Sequence, residues 1–272
     1  MMNMFDGRKI RNEILDDLKI RVASFQQKPV LAVIWIGEDF ATARYIESKE
    51  RAAEKIGVHF DLFKYPTEVT QEEVEKKILE LNQNQSVDGI MIQIPIPEYL
   101  NLNDLIKQID PAKDVDGLNF CRGGICNFRP PVTISIMEAI KRSGINYKES
   151  KIAIIGKGFL VGSPLARMLE SENADIRIAD EETPYLATIT SDADIVISAT
   201  GTANLIKPDM VKNGVVLIDA GTTEVGGELR GDIDINCYRK ASFYTPVPGG
   251  IGPMTVAMLF ANLVKSAETR QA

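Results

Sequence analysis

A tyrosine and a lysine four positions apart are the first residues whose types and spacing could do chemistry. Tyr45 and Lys49 lie in FATARYIESKERAAEKIG, whose helical spacing puts both side chains on one face. A lysine in a partly desolvated cleft has a lowered pKa and can exchange protons with water or a substrate hydroxyl. On a helix this rich in charge, however, a lysine is more often a solvated surface group. A catalytic role for Lys49 therefore depends on which other residues lie near it.

Polar side chains that follow buried segments could join this lysine. Gln93 comes after a predicted strand in VDGIMIQIPIP, and Asp114 and Asp116 lie in the loop DVDG. Because an open α/β sheet presents ligands to a crevice at the carboxyl ends of its strands, these groups favour a common site. Acid–base chemistry must rest on Lys, Asp, Glu or Tyr, since the only histidine, His59, sits in a strand-like segment and multi-histidine metal sites are excluded.

A glycine-rich turn is the second chemical signal. In KIAIIGKGFLVGSPLARML, a strand is followed by Gly156, Gly158 and Gly162 in GxGxxxG spacing and then by a helix. Backbone amides and a helix N-terminus suit the pyrophosphate of a dinucleotide. The alternative is a tight turn with a purely structural role.

Acidic residues follow the next predicted strand. Asp180 lies 24 residues after Gly156, where a dinucleotide fold places the acid that binds the ribose 2′-hydroxyl. An acid there repels a 2′-phosphate, and Glu181 and Glu182 add like charge, so the pocket should prefer NAD to NADP. A solvated acidic strand end is the alternative.

The loop TPVPGGIGPMT, residues 245–255, contains prolines, which are rigid, and glycines, which have no side chain. Pro246 and Pro248 hold the backbone extended, and Pro253 suits the first turn of a helix. Its glycines would let backbone approach a flat ligand closely. The residues proposed here for substrate binding are Pro248, Gly249, Gly250 and Gly252.

Composition excludes several classes of protein. The 272 residues carry a net charge of −7, which argues against a nucleic-acid partner. No apolar run reaches the roughly 18 residues that span a bilayer, and the N-terminus lacks a signal-peptide core, so we expect a cytoplasmic protein. Three cysteines, Cys121, Cys126 and Cys237, form no CxxC pair and are expected to be ordinary thiols without a metal.

The elements that must position these residues alternate along the chain, which predicts an α/β fold with parallel sheets and two domains. The second half, with short buried strands in KIAIIG, DIRIAD, ADIVISATG and GVVLIDAG, favours a Rossmann-type doubly wound unit. The final helix has apolar residues on more than one side and should pack back on the first domain. Helices are predicted over 7–26, 41–57, 70–83, 132–144 and 254–268, and strands over 30–37, 58–65 and 87–97.

Six segments together resemble one enzyme family in order and spacing. They are YIESK, DGIMIQIPIP, KDVDGLN, GKGFLVGSPLA, ADIVISATG and TPVPGGIGPMT. The chain resembles methylenetetrahydrofolate dehydrogenase/methenyltetrahydrofolate cyclohydrolase from about residue 5 to 265. The resemblance implies a homodimer that oxidises 5,10-methylene-tetrahydrofolate with a nicotinamide cofactor and hydrolyses the product to 10-formyl-tetrahydrofolate. It implies a folate-binding catalytic domain, residues 1–142 with 252–272, and a dinucleotide-binding domain, residues 143–251.

The resemblance also assigns roles to residues. The family's catalytic lysine falls on Lys49, its tyrosine on Tyr45, its glutamine on Gln93 and its pterin-binding aspartate on Asp116. Gln93 would hold the amine, Tyr45 would cover the substrate ring, and Asp116 would accept hydrogen bonds from the pterin edge. The cofactor-binding set is Gly156, Lys157, Gly158, Gly162, Asp180, Gly201 and Gly221.

Departures from the family pattern cluster on the nicotinamide side. The usual Gly-Arg-Ser of the phosphate turn is Gly156, Lys157 and Gly158, and acids replace a serine and a basic residue after the second nucleotide strand. Three hypotheses follow: a bifunctional enzyme that uses NAD, a cyclohydrolase whose nicotinamide site is weakened or lost, or a folate-binding protein without turnover. The intact GxGxxxG turn favours the first, and the retained Lys49 and Gln93 oppose the third.

Overall fold

The computed structural model describes residues 3–271, without the side chains of residues 40 and 41. The ends of the predicted catalytic domain, residues 1–2 and 272, lie outside that part. The chain divides into two compact units, Met1–Ile10 with Val132–Thr255 and Arg11–Pro131 with Val256–Ala272. We call them the six-stranded unit and the three-stranded unit after their main sheets. The predicted functional domains, 1–142 with 252–272 and 143–251, remain a prediction.

Helices and strands alternate through most of the chain. The helices are α1 Gly7–Ala23, α2 Phe40–Ile56, α3 Gln71–Gln83, α4 Leu102–Gln108, α5 Leu118–Cys121, α6 Pro131–Ser143, α7 Gly162–Ser171, α8 Ala187–Thr190 and α9 Ile251–Gln271. The strands are β1 Asn3–Met4, β2 Val30–Ile36, β3 His59–Tyr65, β4 Gly89–Ile92, β5 Lys151–Ile155, β6 Asp175–Ala179, β7 Ile195–Ser198, β8 Val215–Asp219, β9 Thr223–Val225, β10 Glu228–Arg230 and β11 Ala241–Tyr244.

The three-stranded unit contains a parallel sheet in the order β3–β2–β4. β2, VLAVIWI, is almost entirely buried, as the apolar run of a central parallel strand requires. Residues of α1 and α9 share its core, including Leu18, Phe260 and Leu263. This contact confirms that the final helix packs on the first half of the chain.

Three elements differ from the prediction by three residues or more at an end. β4 ends at Ile92 rather than at residue 97, because Pro95 and Pro97 have no N–H to donate to a neighbouring strand. α1 stops at Ala23 rather than residue 26, because the Ser24 N–H and hydroxyl both donate to Arg21 O and close the last turn. α9 begins at Ile251, three residues before the predicted start, so Gly252 and Pro253 lie in its first turn. A proline is tolerated there because first-turn N–H groups have no partner within the helix.

The six-stranded unit contains a parallel sheet in the order β1–β11–β8–β7–β5–β6. The two strands that follow β5 in sequence, β6 and β7, lie on opposite sides of it, which is the switch point of a doubly wound sheet. The four strands predicted for this half are present. β1, β11 and the antiparallel hairpin of β9 and β10 were not predicted. Between residues 3 and 271 no helix is long and apolar enough to cross a membrane.

Candidate active site

Local capping fixes the helix that carries Tyr45 and Lys49. The Asp39 carboxylate accepts a hydrogen bond of 2.7 Å from Thr42 N, which starts α2. Gly57, with φ of 83°, ends it in the left-handed conformation that glycine adopts without strain. Tyr45 and Lys49 share a face, but Tyr45 is 59% exposed, whereas Lys49 is half-buried.

Gln93 lies at the carboxyl end of β4 and contacts the lysine. Its backbone N–H continues the ladder to Ile34 O of β2 at 2.8 Å. Hydrogen bonds fix both polar atoms of its side-chain amide. Nε2 donates to Ile94 O at 2.8 Å, and Oε1 accepts from Lys49 Nζ at 2.7 Å. Because the amide nitrogen is already committed, the oxygen faces the amine, and Gln93 holds Lys49 in one place.

Asp116 completes a cluster with Lys49 and Gln93, which we call the amine cluster. Burial lowers the pKa of Lys49, while the charge of Asp116 acts in the opposite direction. Burial raises the pKa of Asp116 to about 6, Lys49 opposes that shift, and the nearby charge of Asp114 adds to it. A lowered lysine pKa increases the fraction of neutral amine available as a base, and the carboxylate is a strong acceptor for a ligand donor.

Asp114 builds the turn that presents Asp116. It is fully buried, and its carboxylate accepts from Leu118 N at 3.0 Å, from Asn119 N at 2.7 Å and from the Cys126 thiol at 3.3 Å. Gly117 is required in this turn: its φ is 67°, and a Cβ there would lie 2.7 Å from Pro130 N. The aspartate that the sequence placed beside Asp116 therefore serves the conformation of the loop.

In the six-stranded unit, the glycines after β5 form a close backbone turn. A Cβ on Gly162 would lie 1.8 Å from Gly156 O, and Gly156 has a φ of 103°, so both positions require glycine. A Cβ on Gly158 would meet nothing within 4 Å. No side chain caps the first turn of α7, which begins at Gly162. Ser163 Oγ donates to Lys157 O at 2.7 Å and fixes the turn.

This turn fits the phosphates of a dinucleotide. Its open side at Gly158 leaves room for a ligand, and the turn leads into the N-terminus of α7, whose dipole attracts anions. Lys157 is exposed beside them and supplies a positive charge. The turn lies at the switch point of the sheet, where such folds bind ligands.

Asp180 follows β6, as the sequence predicts, and part of its carboxylate is used locally. Oδ1 accepts from Glu182 N at 3.2 Å and from the Thr183 hydroxyl at 3.0 Å. Glu181 and Glu182 are exposed. The segment 180–186, DEETPYL, contains no lysine or arginine, so it offers no cation of its own to a 2′-phosphate.

Gly201 and Gly221 lie in the loops after β7 and β8. The Thr223 hydroxyl, at the start of β9, donates to Gly201 O and joins the loop after β7 to the strand that follows Gly221. A Cβ on Gly221 would lie 2.0 Å from Asp232 Oδ1, so packing alone requires this glycine. Sequence reasoning missed Asp232 and its neighbour Asp219, both fully buried. The one signal for Asp219 was its place at the end of the apolar run VVLID.

The prediction that Pro246 and Pro248 hold the proline–glycine loop extended is wrong at Pro248: the Val247–Pro248 peptide bond is cis, and Gly250 N donates to Pro246 O at 2.7 Å and closes a turn. The loop has an internal reason for most of its glycines. Gly249 has a φ of 116°, and its carbonyl accepts from Gly7 N at 3.0 Å. A Cβ on Gly250 would lie 2.7 Å from Pro246 O. Only at Gly252 would an added Cβ meet nothing within 4 Å. Close approach of a ligand is therefore unnecessary to explain Gly249 and Gly250, and the substrate-binding role of the loop stays a prediction.

Within the described part of the chain, no three His, Cys, Asp or Glu side chains gather in the way that metal ligands do. All three cysteines are free, and two of them lie within hydrogen-bonding distance of an oxygen. Cys126 Sγ lies 3.3 Å from Asp114 Oδ2, and Cys237 Sγ lies 3.4 Å from Ile206 O.

Two family models together match most of the chain. Residues 5–116 match the family model "Tetrahydrofolate dehydrogenase/cyclohydrolase, catalytic domain", and residues 130–271 match its "NAD(P)-binding domain". The chain is 38% identical over 280 residues to the bifunctional protein FolD of Nitratiruptor sp., covering 99% of both chains.

Two solved structures are also similar. The bifunctional FolD of Campylobacter jejuni superposes with a TM-score of 0.94 at 34% identity, covering 99% of this chain and 100% of that one. The FolD of Trypanosoma brucei, complexed with NADP cofactor and inhibitor, gives a TM-score of 0.90 at 30% identity, covering 99% and 98%.

Proposed function

The chain belongs to the tetrahydrofolate dehydrogenase/cyclohydrolase family, and we propose that two separate sets of its residues serve the family's two reactions. It oxidises 5,10-methylene-tetrahydrofolate to 5,10-methenyl-tetrahydrofolate with a nicotinamide cofactor and hydrolyses the methenyl compound to 10-formyl-tetrahydrofolate. The observation that carries the assignment of residues is the 2.7 Å hydrogen bond from Lys49 Nζ to Gln93 Oε1, beside Asp116.

In the proposed hydrolysis, Lys49 moves the proton. The neutral amine takes a proton from the water that adds to the methenyl carbon and returns one when the ring opens. Gln93 keeps the nitrogen in position through this exchange. The methenyl group is a cation, so it disfavours a charged ammonium beside it and lowers the pKa of Lys49 further.

Asp116 and Tyr45 are proposed to bind the substrate. A carboxylate with only acceptor atoms matches the donor-rich edge of a pterin, and the protein presents Asp116 on a rigid turn built by Asp114 and Gly117. Tyr45 lies one helical turn before Lys49 with its ring exposed, which leaves it accessible to a flat ligand.

The turn formed by Gly156, Lys157, Gly158 and Gly162 is proposed to hold the pyrophosphate of the cofactor. When bound, the nicotinamide accepts the hydride. The residues of the chain bind and orient it: Lys157 and the N-terminus of α7 attract the phosphates, and the loops that carry Gly201 and Gly221 lie at the same edge of the sheet. The intact turn argues against a cyclohydrolase that has lost its nucleotide site.

We propose that the cofactor is NAD. Three consecutive acids, Asp180, Glu181 and Glu182, follow β6 without a compensating cation in the segment 180–186. The oxygens of Asp180 can accept from ribose hydroxyls, whereas a 2′-phosphate would be repelled. The cytoplasmic location, expected from the sequence, and the homodimer, implied by the family resemblance, remain proposals. Light scattering of the purified protein tests the homodimer.

Two assays of the purified protein test these proposals separately. Nicotinamide absorbance is followed with methylene-tetrahydrofolate and either NAD or NADP, and loss of methenyl absorbance is followed in a second assay. We expect both activities, with NAD the better cofactor. Equal or better turnover with NADP would overturn the proposed role of Asp180. Hydrolysis without any dehydrogenase activity would overturn the dinucleotide assignment.

A further inference from the structure

Two buried carboxylates under the dinucleotide-binding edge are unexplained by the chemistry described so far. Asp219 is 1% exposed and Asp232 is 0% exposed. Burying a carboxylate is costly unless hydrogen bonds or opposite charges compensate it, so two in one cluster call for a reason beyond packing. The hydrogen bonds recorded for them come from backbone N–H groups and from one serine.

Asp232 holds the loop after β7. Its Oδ2 accepts from the Ser198 hydroxyl at 2.8 Å and from Thr200 N at 2.7 Å. Its Oδ1 is buried against Gly221 and has no hydrogen-bond partner among the described residues. One carboxylate therefore fixes the end of β7 and fills the space that a side chain at residue 221 would occupy.

Asp219 holds the loop after β8 and the segment that carries Asp232. Its Oδ1 accepts from Gly221 N at 3.1 Å and from Asp232 N at 3.2 Å, and its Oδ2 accepts from Ile233 N at 2.9 Å. A Cβ on Gly231 would lie 2.1 Å from Asp219 Oδ2. The two carboxylates thus form one chain of contacts that links the loops after neighbouring strands.

We propose that Asp219 and Asp232 are positioning residues of the dinucleotide site, which set the distance between the loops carrying Gly201 and Gly221. This inference rests on the proposed function. The loops belong to adjacent parallel strands at the edge where the glycine turn also lies, so a small shift of either changes the cavity that receives the cofactor.

The electrostatics of the pair support this arrangement. Burial raises the pKa of Asp219 to about 7, the charge of Asp232 adds to the shift, and the backbone donors oppose it. Around neutral pH a proton on Asp219 therefore relieves the repulsion between the two groups. Of the other titratable groups near Asp219, Tyr238 has its own pKa raised by burial and by the charge of Asp219.

The test is the Asp232→Asn variant of the full-length enzyme, with Asp194→Asn as the matched control. Asp194 precedes the same strand, β7, at its opposite end, where it accepts from Lys151 N at 2.8 Å and from Lys212 Nζ. For each variant, the dissociation constant of NAD and of NADP is measured by calorimetry. KM and kcat of the dehydrogenase and the rate of methenyl hydrolysis are measured alongside.

We expect Asp232→Asn to raise the dissociation constant and KM of the dinucleotide about tenfold, as loss of a charge-assisted hydrogen bond allows, with hydrolysis unchanged. Asp194→Asn should change thermal stability but neither dinucleotide constant. Unchanged dinucleotide binding in Asp232→Asn, or an equal change in Asp194→Asn, would overturn the inference.

A milder variant keeps the test valid if Asp232→Asn does not fold. Ser198→Ala removes one of the two hydrogen bonds to Asp232 Oδ2 and should weaken dinucleotide binding by about threefold, within the range of a single neutral hydrogen bond. No change would again overturn the inference. A different result would overturn the proposed function: a wild-type protein that shows neither dehydrogenase nor hydrolase activity. A wild-type protein that binds neither NAD nor NADP would overturn the inference whatever its hydrolase activity.

Discussion

In the three-stranded unit the proposed site consists of polar side chains, whereas in the six-stranded unit it is built around a backbone turn in which two positions require glycine. Lys49, Gln93 and Asp116 are useful because of their functional groups. Gly156 and Gly162 matter because they have no side chain, and an added Cβ would clash with the backbone at either position. The difference matches the work proposed for each unit: proton transfer needs titratable groups, and phosphate binding needs N–H groups at close range.

The two units are alike in the role of their buried acids. Asp114 supports the turn that presents Asp116, and Asp219 with Asp232 supports the loops that carry Gly201 and Gly221. In both units a fully buried carboxylate accepts backbone N–H groups and fixes a loop beside the proposed site. Substitutions at the amine cluster should change hydrolysis or folate binding, and substitutions at the glycine turn should change dinucleotide affinity, each without the other effect.

The largest effect is expected from Lys49→Ala. Removing a general acid–base should lower the rate of methenyl hydrolysis by about 10²- to 10⁴-fold. The dissociation constant of NAD should be unchanged, because the glycine turn is untouched. Lys55→Ala is the control on the same helix, where the lysine forms an ion pair with Asp16 at 2.8 Å and both side chains are largely exposed. Hydrolysis that survives in Lys49→Ala would remove this residue from the mechanism.

The next effect is a change of cofactor. In the double variant Glu181→Ser and Glu182→Arg, a cation replaces an acid near the ribose, and kcat/KM with NADP should rise by about 30-fold, equivalent to roughly 2 kcal/mol. Hydrolysis of the methenyl compound should not change. Steady-state assays with both cofactors give the ratio. An unaltered preference would show that the segment after β6 does not contact the ribose.

A pH dependence between pH 5 and pH 7 is expected for substrate binding. Asp116 has its pKa raised to about 6, so it is charged above that pH and becomes protonated as the pH falls through it. At pH 5 only about one-tenth of it is ionised, and the KM of the folate should be about tenfold higher than at pH 7. Asp116→Asn should have a high KM that does not vary between these values. A wild-type KM that is constant from pH 5 to pH 7 would contradict the role of Asp116.

The smallest effect is expected from Gly158→Ala. The added methyl group has open space around it in the protein, so the melting temperature should stay within about 2 °C of wild type. It would stand between the turn and an approaching pyrophosphate, and the KM of the dinucleotide should rise about threefold. Calorimetry with NAD measures the change directly. Wild-type affinity in this variant would place the phosphates away from Gly158.

The sequence predicts the amine cluster because its members follow strand ends or occupy one helix face. Gln93 and Asp116 come after buried segments, and Lys49 lies on a helix with clear caps. Parallel strands bring their carboxyl ends to one edge, which favours a common site, whereas the role of each residue was implied by the family resemblance. The same reasoning places Gly156 after β5 and Asp180 after β6.

The features that the sequence did not reveal depend on contacts between distant segments. Asp219 and Asp232 meet because the hairpin of β9 and β10 returns the chain to the end of β8. β1 has only two residues and pairs with β11, which is far along the chain, so neither shows a repeating pattern. Gly249 and Gly250 suggested a ligand, yet their packing against Gly7 and Pro246 becomes visible only in the folded unit.

Hydrolysis of methenyl-tetrahydrofolate by the wild-type protein, freed of nucleotide, tests most directly whether the amine cluster works without the dinucleotide site. The loss of methenyl absorbance is measured without cofactor and again with saturating NAD. Because Lys49, Gln93 and Asp116 form a complete acid–base and binding set within one unit, we predict turnover in both cases, with rates within about threefold of each other. No hydrolysis until NAD is added would contradict the separation of the two sites.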